Sequence, residues 1–174
     1  GRLKLGLWHQ RLRLGSIFFL SFIVPGFFVV MMYRFGIISN MKLPDQQERI
    51  VPYFSTSFFY VFVAYQMYTK HFFDPFIYKT FLYGGFVILF SAIINVKFKI
   101  SSHALSCASI LGMLIHLSFY YDGQYQFMLL LSVIFITGIV SSSRLYLRAH
   151  DSFEIILGLS LGLVLGIISP FMIL

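Results

Sequence analysis

Leu14–Tyr33 reads LGSIFFLSFIVPGFFVVMMY, twenty residues without a charged side chain. A helix needs about 17 to 25 mostly apolar residues to cross the hydrocarbon core of a bilayer, so this stretch is long enough to span it alone. Five more stretches free of Asp, Glu, Lys and Arg follow at Ile50–Thr69, Thr80–Val96, Ile100–Tyr121, Gly123–Ser143 and Ile155–Leu174. Backbone polar groups in lipid must be satisfied within the spanning structure, which leaves helices or a closed barrel. None of the stretches alternates polar and apolar residues as a barrel strand does, so helices are expected. The expected fold is an all-α integral membrane bundle of about six transmembrane helices over residues 15–174. A basic amino-terminal segment, residues 1–14, precedes it.

Composition excludes an ordinary water-soluble domain. Hydrophobic residues make up 59% of the chain and aromatics 20%, while charged residues are 11%, against about 25% in globular domains. Phe and Tyr account for most of the aromatics and suit lipid-facing surface and interfacial belts. The first stretch is too long, and its far flank too charged, for a secretory signal peptide. Gly1 stands where an initiator Met is expected, as in a processed or trimmed amino end, and leaves an upstream span open. Cys107 is the lone cysteine, which rules out an intrachain disulfide and points to a small packed residue in a helix. The net charge of +7 is spread over the ends of the apolar stretches. Anionic lipid or a phosphorylated substrate accounts for it better than nucleic acid does.

Residues 1–14 mix Arg2, Lys4, Arg11 and Arg13 with Leu3, Leu5, Leu7 and Trp8, which fits an interfacial anchor. Six spans place the loops after the first, third and fifth on one membrane face. Those loops hold Lys42, Asp45, Glu48 and Arg49; then Lys97, Lys99 and His103; then Arg144, Arg148, His150, Asp151 and Glu154. The opposite loops hold Lys70, His71, Asp74 and Lys79, then Asp122. Pro75 and Asp122-Gly123 read there as turn residues. Seven Lys and Arg fall on the first face and six on the second, so the positive-inside rule barely discriminates. If a site holds the cations of the first face, the basic amino terminus is the better guide and lies in the cytoplasm. The histidine-bearing face is then extracytoplasmic.

Two histidines, several cations and a carboxylate on one face suit nucleophilic phosphoryl transfer. The phosphate needs fixed donors for its developing charge, and the leaving oxygen needs a proton. Ser143-Arg144 is followed after five residues by His150, and Glu154 lies four beyond it, spaced to share a helix face. Lys99-Ile100-Ser101-Ser102-His103 ends in a histidine at a span entrance, and Lys42 precedes Arg49 with six residues between.

These pieces together resemble the type-2 phosphatidic acid phosphatase superfamily, membrane lipid phosphatases related to vanadium haloperoxidases. Its motifs are Lys-x6-Arg-Pro, Pro-Ser-Gly-His and Ser-Arg-x5-His-x3-Asp. Ser143, Arg144 and His150 match the third, with Glu154 in place of Asp. In the second, Ser101 and His103 match, while Ile100 and Ser102 replace Pro and Gly. In the first, Lys42 and Arg49 match, and Ile50 replaces Pro. The resemblance runs from Lys42 to Glu154, and the last span completes the six-helix core typical of such enzymes.

The resemblance implies a metal- and cofactor-free phosphatase acting on a phosphorylated lipid through a phosphohistidine. His150 would be the nucleophile, oriented by Glu154, and His103 the general acid. Lys42, Arg49, Arg144 and Ser101 would bind the phosphoryl oxygens, arginine doing so with a planar fork. Size and resemblance imply a bacterial inner membrane.

Blander assignments exist for the same residues. Asp151-Ser152-Phe153-Glu154 also reads as a capping box. Arg144, His150 and His103 also suit an interfacial cluster or span edge, and Lys42 and Arg49 an ordinary charged loop, with Asp45 as a salt-bridge partner for Arg49. Arg148 and Lys99 match no motif position and read as head-group contacts. His116 lies about 20 Å deeper than His103, too far for shared chemistry. Two other functions fit the composition: a lipid transporter or scramblase built on close-packing Gly84, Gly85, Gly158, Gly162 and Gly166, and an inactive relative that binds phospholipid.

Overall fold

The computed structural model describes residues 15–41, 43, 45–70, 73–119 and 123–169, with the backbone alone at 70 and 124. The proposed interfacial anchor, residues 1–14, lies outside them. Among the described residues the chain is all-α, with six helices: α1 Gly15–Arg34, α2 Ile50–Lys70, α3 Pro75–Asn95, α4 Ser102–Ser118, α5 Gln124–Tyr146 and α6 Ser152–Ile168. Three of them, α1, α3 and α5, are long and apolar enough to cross a membrane. The large side chains of α5 are mostly outward, including Phe127, Met128, Leu131, Ile134 and Phe135. Such a continuous apolar surface is costly in water and suits lipid. The shorter α4 and α6 are apolar as well. α2 is as long as α3, but Ser55-Thr56-Ser57, its tyrosines and Gln66 dilute its apolar character.

Local chemistry sets the ends. α3 starts five residues before the expected stretch because Asp74-Pro75 is a helix start: Asp74 Oδ1 accepts the Phe76 N–H at 2.9 Å, and Pro75 takes the first helical position. Lys79 therefore sits inside a helix, where its long stem can carry the charge outward. α5 continues past Ser143 and takes Arg144 into its last turn, where a cation meets the negative end of the helix dipole.

The described residues form two compact units, one up to Gly85 and the other from Phe86. In the first, Val63, Ala64, Met67 and Phe81 are buried among Ile17, Leu20, Phe59, Tyr60 and other half-buried neighbours. α1 contains a π-helical turn, Phe19–Ile23. Pro25 has no N–H to give the carbonyl of Ser21, one α-helical turn earlier. The Tyr60 hydroxyl of α2 donates to that carbonyl at 2.8 Å. The Ser57 hydroxyl likewise donates to the Gly85 carbonyl of α3 at 2.8 Å. α1 ends in a Schellman turn, with Gly36 at φ +72° and the Ile37 N–H on the Met32 carbonyl at 2.9 Å.

In the second unit α4 and α6 run parallel in near backbone contact. A Cβ on Gly158 would lie 2.7 Å from the Ser101 carbonyl oxygen, one on Gly162 would overlap the Leu105 carbonyl, and one on Gly166 the Ser109 carbonyl. The register advances by four residues on both helices at each step. A small residue every fourth position lets two helices approach this closely.

Candidate functional site

The parallel register brings the amino ends of α4 and α6 side by side. Ser101 is the N-cap of α4: its hydroxyl oxygen accepts the Ala104 N–H at 3.4 Å, and it is fully buried. Its own backbone N–H donates to the Glu154 carbonyl at 3.2 Å, tying the two helix starts together. Asp151 is the N-cap of α6, where Oδ1 accepts the Glu154 N–H at 2.8 Å. Two helix N-termini, each with partial positive charge, therefore meet at one point.

Chain reversal before α6 depends on a second Schellman turn. The Arg148 N–H reaches the Leu145 carbonyl at 2.9 Å, and the Ala149 N–H reaches the Arg144 carbonyl at 3.1 Å. Arg148 occupies the left-handed position with φ 51°. This turn delivers His150 to the residue before the α6 cap. His150 and Glu154 thus straddle a helix start instead of sharing a helical face, and the four-residue spacing still closes. Nδ1 of His150 lies 2.6 Å from Oε2 of Glu154, with the side chains only 2% and 13% exposed.

Oε1 of the same carboxylate pairs with Nζ of Lys99 at 3.4 Å. Glu154 therefore points one oxygen at His150 and the other at Lys99. The capping-box assignment is half met: Asp151 caps the helix, while the Glu154 carboxylate is committed elsewhere. Lys99, assigned to head groups on sequence grounds, contacts the candidate site. No motif position marks it, and only the closeness of the two helix starts reveals its partner.

The remaining residues divide by unit. His103, exposed, is the second residue of α4. Arg144 lies in the last turn of α5, and its Nε is buried without a hydrogen-bond partner among the described residues. The Ser143 hydroxyl is turned back onto the Ile139 carbonyl at 2.7 Å. Arg49 belongs to the first unit, where it is buried and its Nε donates to the Leu43 carbonyl at 2.7 Å. Its suggested partner Asp45 accepts the Gln47 N–H at 3.1 Å. Lys42 lies outside the described residues. The second unit thus brings together His150, Glu154 and Ser101, with Lys99 added.

Among the described residues, no group of three or more His, Cys, Asp or Glu side chains is placed to hold a metal ion. Chemically, the arrangement offers an imidazole with its Nδ1 fixed by a carboxylate, beside two helix N-termini. No protein-family model matches the sequence, and no match was found among curated proteins or solved structures.

Proposed function

We propose that the chain is a membrane lipid phosphatase of the type-2 phosphatidic acid phosphatase kind, hydrolysing a lipid phosphomonoester or diphosphate through a phosphohistidine. The observation that carries this reading is the 2.6 Å contact between His150 Nδ1 and Glu154 Oε2. A carboxylate on Nδ1 selects the Nδ1–H tautomer, which puts the reactive lone pair on Nε2 and stabilises positive charge on the ring.

In the forward step Nε2 of His150 attacks the terminal phosphorus, and its bond to the leaving oxygen breaks, the lipid oxygen of a monoester or the bridging oxygen of a diphosphate. His103 gives its proton to the leaving alkoxide, or to the leaving phosphate of a diphosphate. Water then attacks the phosphohistidine, returns a proton to His103 and releases phosphate. Arg144 and Ser101 bind the phosphoryl oxygens, and the resemblance assigns the same task to Lys42 and Arg49. The unpaired buried Nε of Arg144 supports this role, because such a donor is costly until an anion accepts from it.

Six spans form the membrane domain in this reading, in a bacterial inner membrane with the site facing outward. The 17 residues each of α4 and α6 rise about 25 Å, short of the roughly 30 Å hydrocarbon core. A straight span of that length leaves at least one of its ends at or inside the edge of the hydrocarbon, below the level of the lipid phosphates. A transporter is less favoured, since glycine-tight backbone contact between α4 and α6 leaves little slack for repacking.

Phosphate release in excess EDTA from phosphatidic acid, phosphatidylglycerol phosphate, a polyprenyl diphosphate and phosphorylated lipid A tests the proposal on purified full chain. Activity on at least one is expected, with a loss of about 10³-fold or more in His150→Asn. Undiminished activity in that variant overturns the mechanism, and no release from any of the four favours binding or transport.

A further inference from the structure

We infer that Lys99 is a positioning residue, which holds the Glu154 carboxylate on His150 and out of the capping box that the start of α6 otherwise invites. This rests on the proposed role of His150. Glu154 is the third residue of a helix capped by Asp151, the position from which a glutamate ordinarily reaches back to the N-cap N–H. That rotamer competes with the one observed. In the observed rotamer Oε2 meets His150 Nδ1 at 2.6 Å and Oε1 meets Lys99 Nζ at 3.4 Å.

Lys99 is well placed to decide between them. It lies two residues before Ser101, the cap of α4, whose own N–H is bonded to the Glu154 carbonyl. Residues 99–101 thus grip Glu154 twice, by backbone and by side chain. Ile100, between them, is fully buried, which fixes the path of this short segment and the origin of the lysine stem. Lys99 is itself about one-third exposed, so its charge remains hydrated and the contact acts through direction more than through stability. The lysine that matches no motif position thereby supplies the constraint that a Glu in place of Asp lacks. The longer side chain has an added rotatable bond and a competing partner, and an ammonium group on its second oxygen removes that freedom.

The test compares wild type, Lys99→Met and Lys99→Arg as full chains in detergent, with ¹⁵N-labelled histidine and His150 assigned from its loss in His150→Asn. The wild-type ring is expected as the Nδ1–H tautomer, with that signature lost toward the Nε2–H form in Lys99→Met and restored in Lys99→Arg. On the best substrate of the phosphate-release panel, kcat falls about 10- to 100-fold in Lys99→Met while KM stays within about twofold. Tm is unchanged, since the Asp151 cap remains. An unaltered tautomer in Lys99→Met overturns the inference, as does a raised KM with unchanged kcat, which makes Lys99 a phosphate contact. The two proposals fail separately: full activity in His150→Asn rejects the reaction, whereas the tautomer of Lys99→Met decides the positioning role without turnover.

Discussion

Arg148 adopts a left-handed backbone conformation that costs a residue with a Cβ about 1 kcal/mol or more. It does so because the Schellman turn that closes α5 needs such a residue where glycine is usual. Arg148→Gly is expected to raise stability by about 0.5 kcal/mol, the relief being partly offset by a looser unfolded chain. Thermal unfolding in detergent measures it, and a lower Tm means that the arginine side chain contributes contacts of its own. Glu154 invites a sharper substitution. Glu154→Gln keeps the backbone N–H that Asp151 caps and removes the charge facing His150. It should leave Tm within about 1 °C, for want of a lost cap, and cut kcat about 10²- to 10⁴-fold. Retained turnover would demote the carboxylate to a structural role. The residues of this loop were legible as types and spacings, but which oxygen of Glu154 meets which partner depends on Lys99, from another segment.

The pairing of α4 with α6 depends on Gly158, Gly162 and Gly166. Their absent side chains leave room for the carbonyls of Ser101, Leu105 and Ser109. Gly162→Leu should cost about 3 kcal/mol or more and separate the two helix starts that form the site. Loss of both monodisperse behaviour and phosphate release is expected on gel filtration and assay. A well-folded, active Gly162→Leu protein would show that the helix pair tolerates separation. In the other unit, Tyr60→Phe removes the donor that compensates for Pro25 and should lower stability by about 1 kcal/mol, read from the unfolding midpoint. The glycine spacing was visible in the sequence. Its partner helix was not, because a stripe of small residues does not say which neighbour it admits.

At the level of the molecule, the chain should cross the membrane six times, with the starts of α4 and α6 on one side. A Cys107→Ser background allows single reporters at Phe98, Leu147 and Gly123. An impermeant maleimide should modify Phe98→Cys and Leu147→Cys from one side and Gly123→Cys from the other. Gly123 and Leu147 labelled from the same side would remove α5 as a span and with it the parity that gathers the motifs.

The sequence by itself determined the class of fold. Long charge-free runs leave helices as the economical way to satisfy the backbone, and Gly, Pro and Asp mark the ends, although the Asp74-Pro75 start of α3 is plain only once Lys79 is accepted inside a helix. It also supplied His150 and Glu154 as a spaced pair, since short-range geometry survives a change from helical face to helix cap. Tertiary structure decided what that pair is part of. The parallel contact of α4 and α6 sets Ser101 beside Glu154 and brings Lys99 to its second oxygen, because two backbones can meet that closely only where glycines face carbonyls. Those contacts join residues about fifty positions apart, beyond the reach of any local pattern.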